Sequence, residues 1–212
     1  MNNLFNEQIG FRLSRLEIYN WGTFDKEIWV MKPNGQTGVL TGANGSGKST
    51  VVDALLTLVV EGRQRNYNLA SGAGSSRERN ERTYVRGQYS RSRGDNVTDA
   101  KANTLRGSDT YTVLLAVFND MSTNKVVTLA QMLWISNVDR VEKRYYVSTA
   151  DLTIEHHFSQ RLVSPKDLPN DTQQFKTFSK YIERARKELG LGGRHKALDL
   201  FNQTVAVKDI AS

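Results

Sequence analysis

Cysteine is absent from this sequence of 212 residues, which excludes disulfides and thiolate metal sites. Long apolar runs are also absent. The longest, residues 54–60, is interrupted by Thr57 and is far shorter than the roughly 18 residues that a membrane-spanning helix needs. The N-terminus lacks the basic start and the apolar stretch of a signal peptide. Together with a mean hydropathy of -0.52, these absences favour a cytoplasmic protein with no membrane partner.

Positive charge is unevenly distributed along the chain, whose formal net charge is +7. Between residues 63 and 106, ten basic and four acidic residues leave an excess of six positive charges. Such an excess is typical either of a surface that meets a polyanion or of a solvated loop. The candidate DNA-facing or partner-facing side chains are the arginines of this stretch: Arg77, Arg79, Arg82, Arg86, Arg91 and Arg93.

Hydrophobic periodicity predicts a mixed α/β fold in which most of the later strands form an antiparallel meander. Strands are predicted over residues 11–19, 24–31, 38–41, 110–118, 126–135, 141–147 and, as a possible addition, 153–158. Helices are predicted over residues 49–60 and 173–189. Between them, residues 61–109 are rich in Gly, Ser, Asn and Arg, which predicts a long inserted loop.

The strongest motif is a phosphate-binding loop, or P-loop, which lies between a predicted strand and a predicted helix. Its glycines permit backbone angles that let successive N–H groups point at phosphate oxygens, and the following helix adds its positive dipole end. Lys48 is expected to contact the β- and γ-phosphates of ATP, and Ser49 to bind Mg2+. The expected phosphate-binding residues are Gly42, Ala43, Asn44, Gly45, Ser46, Gly47, Lys48, Ser49 and Thr50.

A P-loop alone does not hydrolyse ATP, and an acidic second element is hard to find in this sequence. Such an element is commonly an apolar strand that ends in Asp, often followed by Glu, and only residues 113–120 come close. Met121 follows Asp120 where a Glu would be expected. We interpret Asp120 as a hairpin-turn residue, so the catalytic apparatus is incomplete as written.

The order of these elements resembles the N-terminal half of an SMC-like ATPase head. The resemblance is carried by the turn at residues 20–24 and by the P-loop, and it covers nearly the whole chain. Within this superfamily of chromosome-organising and DNA-repair ATPases, the chain is most similar to the MukB-like branch, and there to the JetC family of Wadjet plasmid-defence systems. The stretches 20–24, 82–87 and 197–205 carry this closer likeness.

The resemblance implies an ABC-type P-loop NTPase N-terminal lobe over residues 1–212, with residues 61–109 as a long basic loop. Residues 195–212 would form the glutamine loop, which leads towards a long coiled coil. Gln203 would reach Mg2+ and the attacking water, and Arg63 or Arg65 would contact phosphates. Asn20 and Trp21 lie in the turn that flanks the nucleotide base in such heads, although Trp21 fits a core position equally well.

The resemblance also explains the missing parts, because in this superfamily the signature motif and the Asp-Glu strand belong to a second half-head. It implies an ATPase that needs its own C-terminal half-head and a second head, which ATP joins as a dimer. Further implied partners are kleisin-like and winged-helix subunits, DNA in the nucleoid, and a nuclease subunit. DNA loop extrusion and plasmid defence would be the outcome.

Two other functions fit the residues. The first is an autonomous P-loop NTPase or small-molecule kinase that uses Asp120 for Mg2+, in which case the isolated chain would turn over ATP. The second is a non-catalytic interaction module that is gated by nucleotide, in which case occupancy matters and turnover does not.

Overall fold

The computed structural model describes residues 10–62, 65, 80–91 and 102–191, and the fold follows from these parts of the chain. The described strands and helices, in chain order, are β1 (Arg12–Trp21), β2 (Phe24–Met31), α1 (Lys48–Val59), α2 (Glu81–Arg86), β3 (Gln88–Arg91), β4 (Ala102–Thr104), β5 (Tyr111–Asp120), β6 (Lys125–Ile135), β7 (Val141–Ser148), α3 (Ile154–His157), β8 (Gln173–Phe175) and α4 (Phe178–Glu188). The predicted α/β class with an antiparallel meander is confirmed.

Six strands form one antiparallel sheet in the order β2-β1-β5-β6-β7-β8. The register places Leu16 opposite Ala116 and Ala116 opposite Leu129, so these apolar residues share one face. Since successive residues of a strand point to opposite faces, β5 and β6 bury side chains on both sides of the sheet. One core cluster contains residues of α1 and α4, and the other contains Leu152, Ile154 and Phe158. The sheet is therefore the middle layer of the domain.

Helix α1 packs on the sheet and is held at its C-terminal end by three buried side chains. Gln131 of β6 donates to the Thr57 carbonyl at 2.8 Å, and the Tyr181 hydroxyl of α4 donates to the Leu58 carbonyl at 2.9 Å. The Nε atom of Arg65 donates to the Val60 carbonyl at 2.6 Å. The last carbonyls of a helix lack partners within the helix, so these bonds satisfy them and fix the position of α1.

The predicted loop 61–109 is not structureless where the structure describes it. Helix α2 begins with a capping box, in which Asn80 and Thr83 exchange hydrogen bonds, and it ends at Gly87 in the left-handed conformation. Strands β3 and β4 then pair as a separate two-stranded sheet. Polar caps and a glycine define these elements, and hydrophobic periodicity does not detect such signals.

Three sequence predictions differ from the structure. Residues 38–41 form no strand, and no described strand pairs with them; Val39 is 86% exposed and Leu40 45% exposed. Residues 153–158 contain helix α3, because Thr153 caps its N-terminus and the four-residue spacing of Ile154 and Phe158 also fits a helix. The third difference is at residues 173–175, which extend the sheet as β8 beside β7 before α4 begins.

Candidate functional site

The P-loop leads directly into α1, whose N-cap is Gly47 with φ 92°. A Cβ atom at Gly47 would lie 3.0 Å from Cζ of Phe24, so both the backbone angle and the close packing require glycine here. Gly47 has no side chain to cap the helix, and the first turn carries no acidic residue. The positive end of the α1 dipole is therefore left for a ligand, and residues 42–46 are exposed to solvent.

The ammonium group of Lys48 folds back over the loop. Its Nζ atom donates to the carbonyl oxygens of Gly42 at 2.7 Å and Ala43 at 2.8 Å. Inside the loop, the Ser46 amide donates to the Ala43 carbonyl at 3.2 Å. The charge of Lys48 thus lies against the carbonyls at the start of the loop, and an anion bound there would meet the lysine and the helix N-terminus together.

The turn between β1 and β2 packs against the first turn of α1. Gly22 in this turn has φ 58°, and a Cβ atom there would lie 2.8 Å from Cγ2 of Thr50 and 3.0 Å from Cδ1 of Tyr84. The Gly22 amide also donates to the Tyr84 carbonyl at 2.8 Å. Gly22, Thr50 and Tyr84, which are far apart in sequence, therefore meet next to the P-loop.

Asn20 and Trp21 have structural partners. The Trp21 indole is fully buried and stacks on the Tyr84 ring, with centroids 4.5 Å apart and planes 10° from parallel. The Asn20 amide donates to the Tyr111 carbonyl at 3.0 Å, and its oxygen accepts from the Lys26 amide at 2.8 Å. Trp21 occupies the core position that the sequence also allowed, and in this arrangement its ring offers no surface to a nucleotide base.

Arg65 lies at the opposite end of α1 from the P-loop. The helix has 12 residues and so is about 18 Å long, and the Arg65 guanidinium is bonded to Val60 at its C-terminal end. It also pairs with Glu81 and lies 5.8 Å from the Phe178 ring centroid. The structure therefore places Arg65 about the length of α1 away from its own P-loop. Arg63 lies outside the described residues.

Glu81 links Arg65 to β7. The Lys143 ammonium donates to Oε1 of Glu81 at 2.6 Å. Burial alone would raise the pKa of Glu81, but the charges of Lys143 and Arg65 outweigh it, and the pKa is lowered from its ordinary value. This cluster joins α1, α2 and β7, and it belongs to the structural framework.

The candidate DNA-facing arginines divide into three groups. Arg82 and Arg86, on α2, both pair with Asp139 in the turn between β6 and β7. The hydrogen bond from Arg86, supported by the charge of Arg82, lowers the pKa of Asp139. Arg91 lies in β3, where the structure describes only its backbone. Outside the described residues lie Arg77, Arg79 and Arg93.

Arg106 has a role that the sequence analysis missed. Its buried guanidinium donates to the carbonyls of Gly22 at 2.9 Å and Tyr84 at 2.7 Å, and to the Asp25 carboxylate at 2.9 Å. Further bonds reach the carbonyls of Phe24 and Val85. Arg106 therefore ties the β1–β2 turn to α2. The sequence counted it only as part of a basic surplus, and no local pattern distinguishes a buried arginine from a solvated one.

Asp120 is far from the P-loop. Its neighbour Asn119 pairs with Arg12 at the start of β1, whereas the P-loop packs near Gly22, just beyond the end of β1. Nine residues of extended strand span about 30 Å. Asp120 accepts hydrogen bonds from the amide and hydroxyl of Ser122, which lower its pKa. It is a hairpin-turn residue, as interpreted from the sequence, and the structure does not bring it to Lys48.

Two remaining predictions concern other parts of the chain. Gln203, together with the whole of residues 195–212, lies outside the described residues. Among the described residues, no helix is long and apolar enough to cross a membrane.

Comparison with known proteins confirms the P-loop. Residues 13–74, less than a third of the chain, match the sequence model of the P-loop containing region of AAA domain. Comparison with curated protein sequences finds no match. The chain therefore contains a P-loop region of this type within an α/β domain.

Two solved structures show a weaker likeness. One comes from work on the structural biochemistry of ATP-driven dimerization and DNA stimulated activation of SMC ATPases; it is 17% identical, covers 84% of this chain and 96% of its own, and has a TM-score of 0.37. The other is an SMC head bound to the C-winged helix domain of ScpA; it is 16% identical, covers 68% of this chain and 37% of its own, and has a TM-score of 0.33. The chain therefore partly resembles these SMC heads, and nothing further is concluded from scores this low.

Proposed function

We propose that this chain is the ATP-binding half of an SMC-like ATPase head. Residues 42–50 would hold the phosphates, with Lys48 at the β- and γ-phosphates. The support is geometric: the loop is closed, its lysine lies at the mouth, and α1 presents an N-terminus without an acidic residue in its first turn. These features fit a triphosphate, since they place one cation and a helix dipole at a loop built from glycines.

A magnesium ion would be bound by Ser49 and, through the glutamine loop, by Gln203. When bound, Mg2+ neutralises charge on the β- and γ-phosphates of ATP. The chain's own contribution would be to bind and orient. The P-loop holds the phosphates, and the neutral amide of Gln203 orients a water without adding charge.

The observation that carries the half-head proposal is the exposed apolar surface beside the P-loop. Val39 and Leu40 lead into the loop and are 86% and 45% exposed, and on the edge strand β2 Trp29 and Val30 are 48% and 49% exposed. Exposed apolar residues on an edge strand, and on the segment that leads into a binding loop, are typical of an interface. The proposed occupant is the protein's own C-terminal half-head, which would carry the Asp-Glu strand.

Hydrolysis would then require a second head that supplies the signature motif across the ATP. The ATPase activity is therefore proposed for a dimer of complete heads, with ATP joining them and hydrolysis releasing them. Kleisin-like and winged-helix subunits would bridge the heads. We further propose that this cycle drives DNA loop extrusion at the nucleoid, in the cytoplasm. Loop extrusion would serve plasmid defence, in which a nuclease subunit cleaves the DNA.

DNA is proposed to meet the basic segment around α2 and β3. Arg82 and Arg86 share Asp139, so their charge is partly neutralised, and they serve at least in part to fix α2. Arg77, Arg79, Arg91 and Arg93 remain the candidates for phosphate contacts. Affinity that falls steeply with salt would support such contacts, because each neutralised phosphate releases counterions.

ATP binding and ATP turnover, measured separately, test the proposed function. Residues 1–212 are expected to bind Mg-ATP and to show almost no turnover. The full-length protein is expected to hydrolyse ATP, and its rate per head should rise with protein concentration because two heads must dimerise. Robust turnover by residues 1–212 alone would contradict the half-head proposal. Binding without turnover in the full-length protein would instead favour a nucleotide-gated interaction module.

A further inference from the structure

Helix α2 contacts α1 through a buried hydrogen bond close to the P-loop. The hydroxyl of Tyr84 donates to the carboxylate of Asp53, and both side chains are buried. Asp53 lies five residues after Lys48, which is about 7.5 Å along the helix axis. Loss of a hydrogen-bond donor to a buried carboxylate costs free energy, because water cannot replace the donor there. This bond therefore restrains the N-terminal half of α1.

The same tyrosine also contacts the β1–β2 turn. Its ring stacks on the Trp21 indole at a centroid distance of 4.5 Å, and its carbonyl accepts hydrogen bonds from the Gly22 amide and from Arg106. Ring, hydroxyl and main chain of one residue therefore hold two different elements. Both of those elements belong to the support of the P-loop.

The turn and the P-loop helix fit together with no spare room. The places where Cβ atoms would stand at Gly22 and Gly47 are already within 3.0 Å of Thr50 and Phe24, respectively. Closely packed groups cannot move independently, so a displacement of the β1–β2 turn or of α1 is passed on to the loop. Tyr84 lies at the junction of the three parts.

We propose that Tyr84 is a positioning residue for the phosphate loop: it sets the place of α1 through Asp53 and the place of the β1–β2 turn through Trp21 and Gly22. This inference rests on the proposed function, because its effect on a ligand presupposes that the loop binds a nucleoside triphosphate. Helix α2 would then have a role at the nucleotide site that is separate from any contact with DNA. Tyr84 itself is a support and does not touch the ligand.

The test compares two tyrosines that bond to the same helix at different ends. Tyr84→Phe keeps the ring and removes the donor to Asp53, and Tyr181→Phe removes an equally buried donor to the Leu58 carbonyl at the far end of α1. Calorimetric titration of the full-length protein with Mg-ATP is expected to show an approximately tenfold weaker Kd for Tyr84→Phe, equivalent to about 1.4 kcal/mol. Tyr181→Phe is expected to bind within about twofold of the parent, even where its loss of Tm is equal.

A measurement without nucleotide separates this inference from the proposed function. Hydrogen–deuterium exchange of the ligand-free protein is expected to quicken at residues 42–52 in Tyr84→Phe and only near residues 57–60 in Tyr181→Phe. Asp53→Asn, which keeps an oxygen that can accept from Tyr84, is expected to exchange more slowly at the loop than Tyr84→Phe. If the parent protein binds no ATP, the proposed function fails, and the exchange pattern still decides the role of Tyr84.

Two results would overturn the positioning role. One is unchanged loop exchange in Tyr84→Phe together with ATP affinity within about twofold of the parent. The other is an equal loss of affinity in Tyr84→Phe and Tyr181→Phe that follows the loss of Tm, since a purely structural contribution predicts that proportionality.

Discussion

The ammonium group of Lys48 lies 2.7 Å from the carbonyl oxygen of Gly42, at the opposite end of the same loop. In the described structure this contact closes the loop, and a bound phosphate would compete with the carbonyls for the same cation. The lysine therefore contributes to the shape of the loop as well as to its charge. This arrangement leads to the first of five predictions.

Lys48→Ala is expected to abolish detectable Mg-ATP binding while leaving the unfolding free energy within about 0.5 kcal/mol of the parent, because the contacts of Lys48 are exposed. Calorimetric titration and urea unfolding measure the two quantities. Lys125→Ala, an exposed lysine at the start of β6, is the matched control and should change neither. ATP affinity retained in Lys48→Ala would contradict the phosphate-binding role of the loop.

Gly47→Ala is expected to weaken Mg-ATP binding at least about tenfold and to destabilise the fold by about 1–3 kcal/mol, since its φ of 92° and the contact with Phe24 both oppose a side chain. Gly38→Ala is the control, because nothing lies within 4 Å of its Cβ position. Affinity and urea unfolding are measured on both. Equal behaviour of the two variants would show that the loop geometry tolerates a Cβ atom.

Arg106→Met is expected to cost about 3 kcal/mol of unfolding free energy, because five hydrogen-bond acceptors lose a buried charged donor. Arg140→Met, at an exposed turn, should cost no more than about 0.5 kcal/mol. Chemical denaturation at neutral pH provides the comparison. A small effect at Arg106 would mean that solvent replaces the lost donors, and that the turn does not depend on this side chain.

Glu81 predicts a pH dependence of stability. Its pKa is lowered in the folded protein, so its contribution is fully present above its ordinary value of 4.5 and is lost as the pH falls through the lower folded value. Glu81→Gln should therefore cost about 2 kcal/mol at pH 7 and progressively less in strong acid. Urea unfolding between pH 7 and pH 3 measures this difference.

The control for Glu81 is Glu188→Gln, which removes an i,i+4 partner of Arg184 on α4. That pair should contribute only about 0.5 kcal/mol at pH 7. If the two variants lose stability equally at neutral pH, Glu81 is not held by the charges of Lys143 and Arg65.

Val39→Glu distinguishes a covered surface from an open one. In residues 1–212 alone the change should alter the unfolding free energy by no more than about 0.5 kcal/mol, because Val39 is already in solvent. In the full-length protein, where the proposed half-head covers this position, the cost should reach about 3 kcal/mol, since a charge would be buried. Thermal unfolding of both forms makes the comparison. Identical small effects in both forms would remove the support for a half-head at this surface.

Periodicity predicted the long elements well because their apolar side chains repeat with the period of the structure. The strands β1, β2, β5, β6 and β7 and the helix α1 agree with prediction to within a few residues. Residues 38–41 have strand-like composition, yet Val39 and Leu40 have no partner among the described residues. A strand depends on a neighbour, and no local pattern can show whether that neighbour is present.

The candidate site was predictable only where its chemistry is local. The P-loop is a contiguous motif: the structure gives Gly47 a left-handed backbone at the start of α1 and bonds Lys48 to the Gly42 carbonyl, and phosphate binding by these residues stays a prediction. The support beneath it is not contiguous: Asp53 and Tyr84 are 31 residues apart, and Arg106 and Gly22 are 84 apart. Arg65 was one of two candidates for a phosphate contact, and its nearness to Lys48 in sequence conceals the length of α1 between them.

The exposed apolar side chains Trp29, Val30, Val39 and Leu40 also have a consequence for handling the protein. A protein that consists of residues 1–212 alone would expose these apolar side chains to solvent, and its molecules would tend to self-associate as concentration rises. Light scattering against concentration should therefore be recorded before any apparent dimer is attributed to ATP. A nucleotide-dependent dimer can be recognised only against that background.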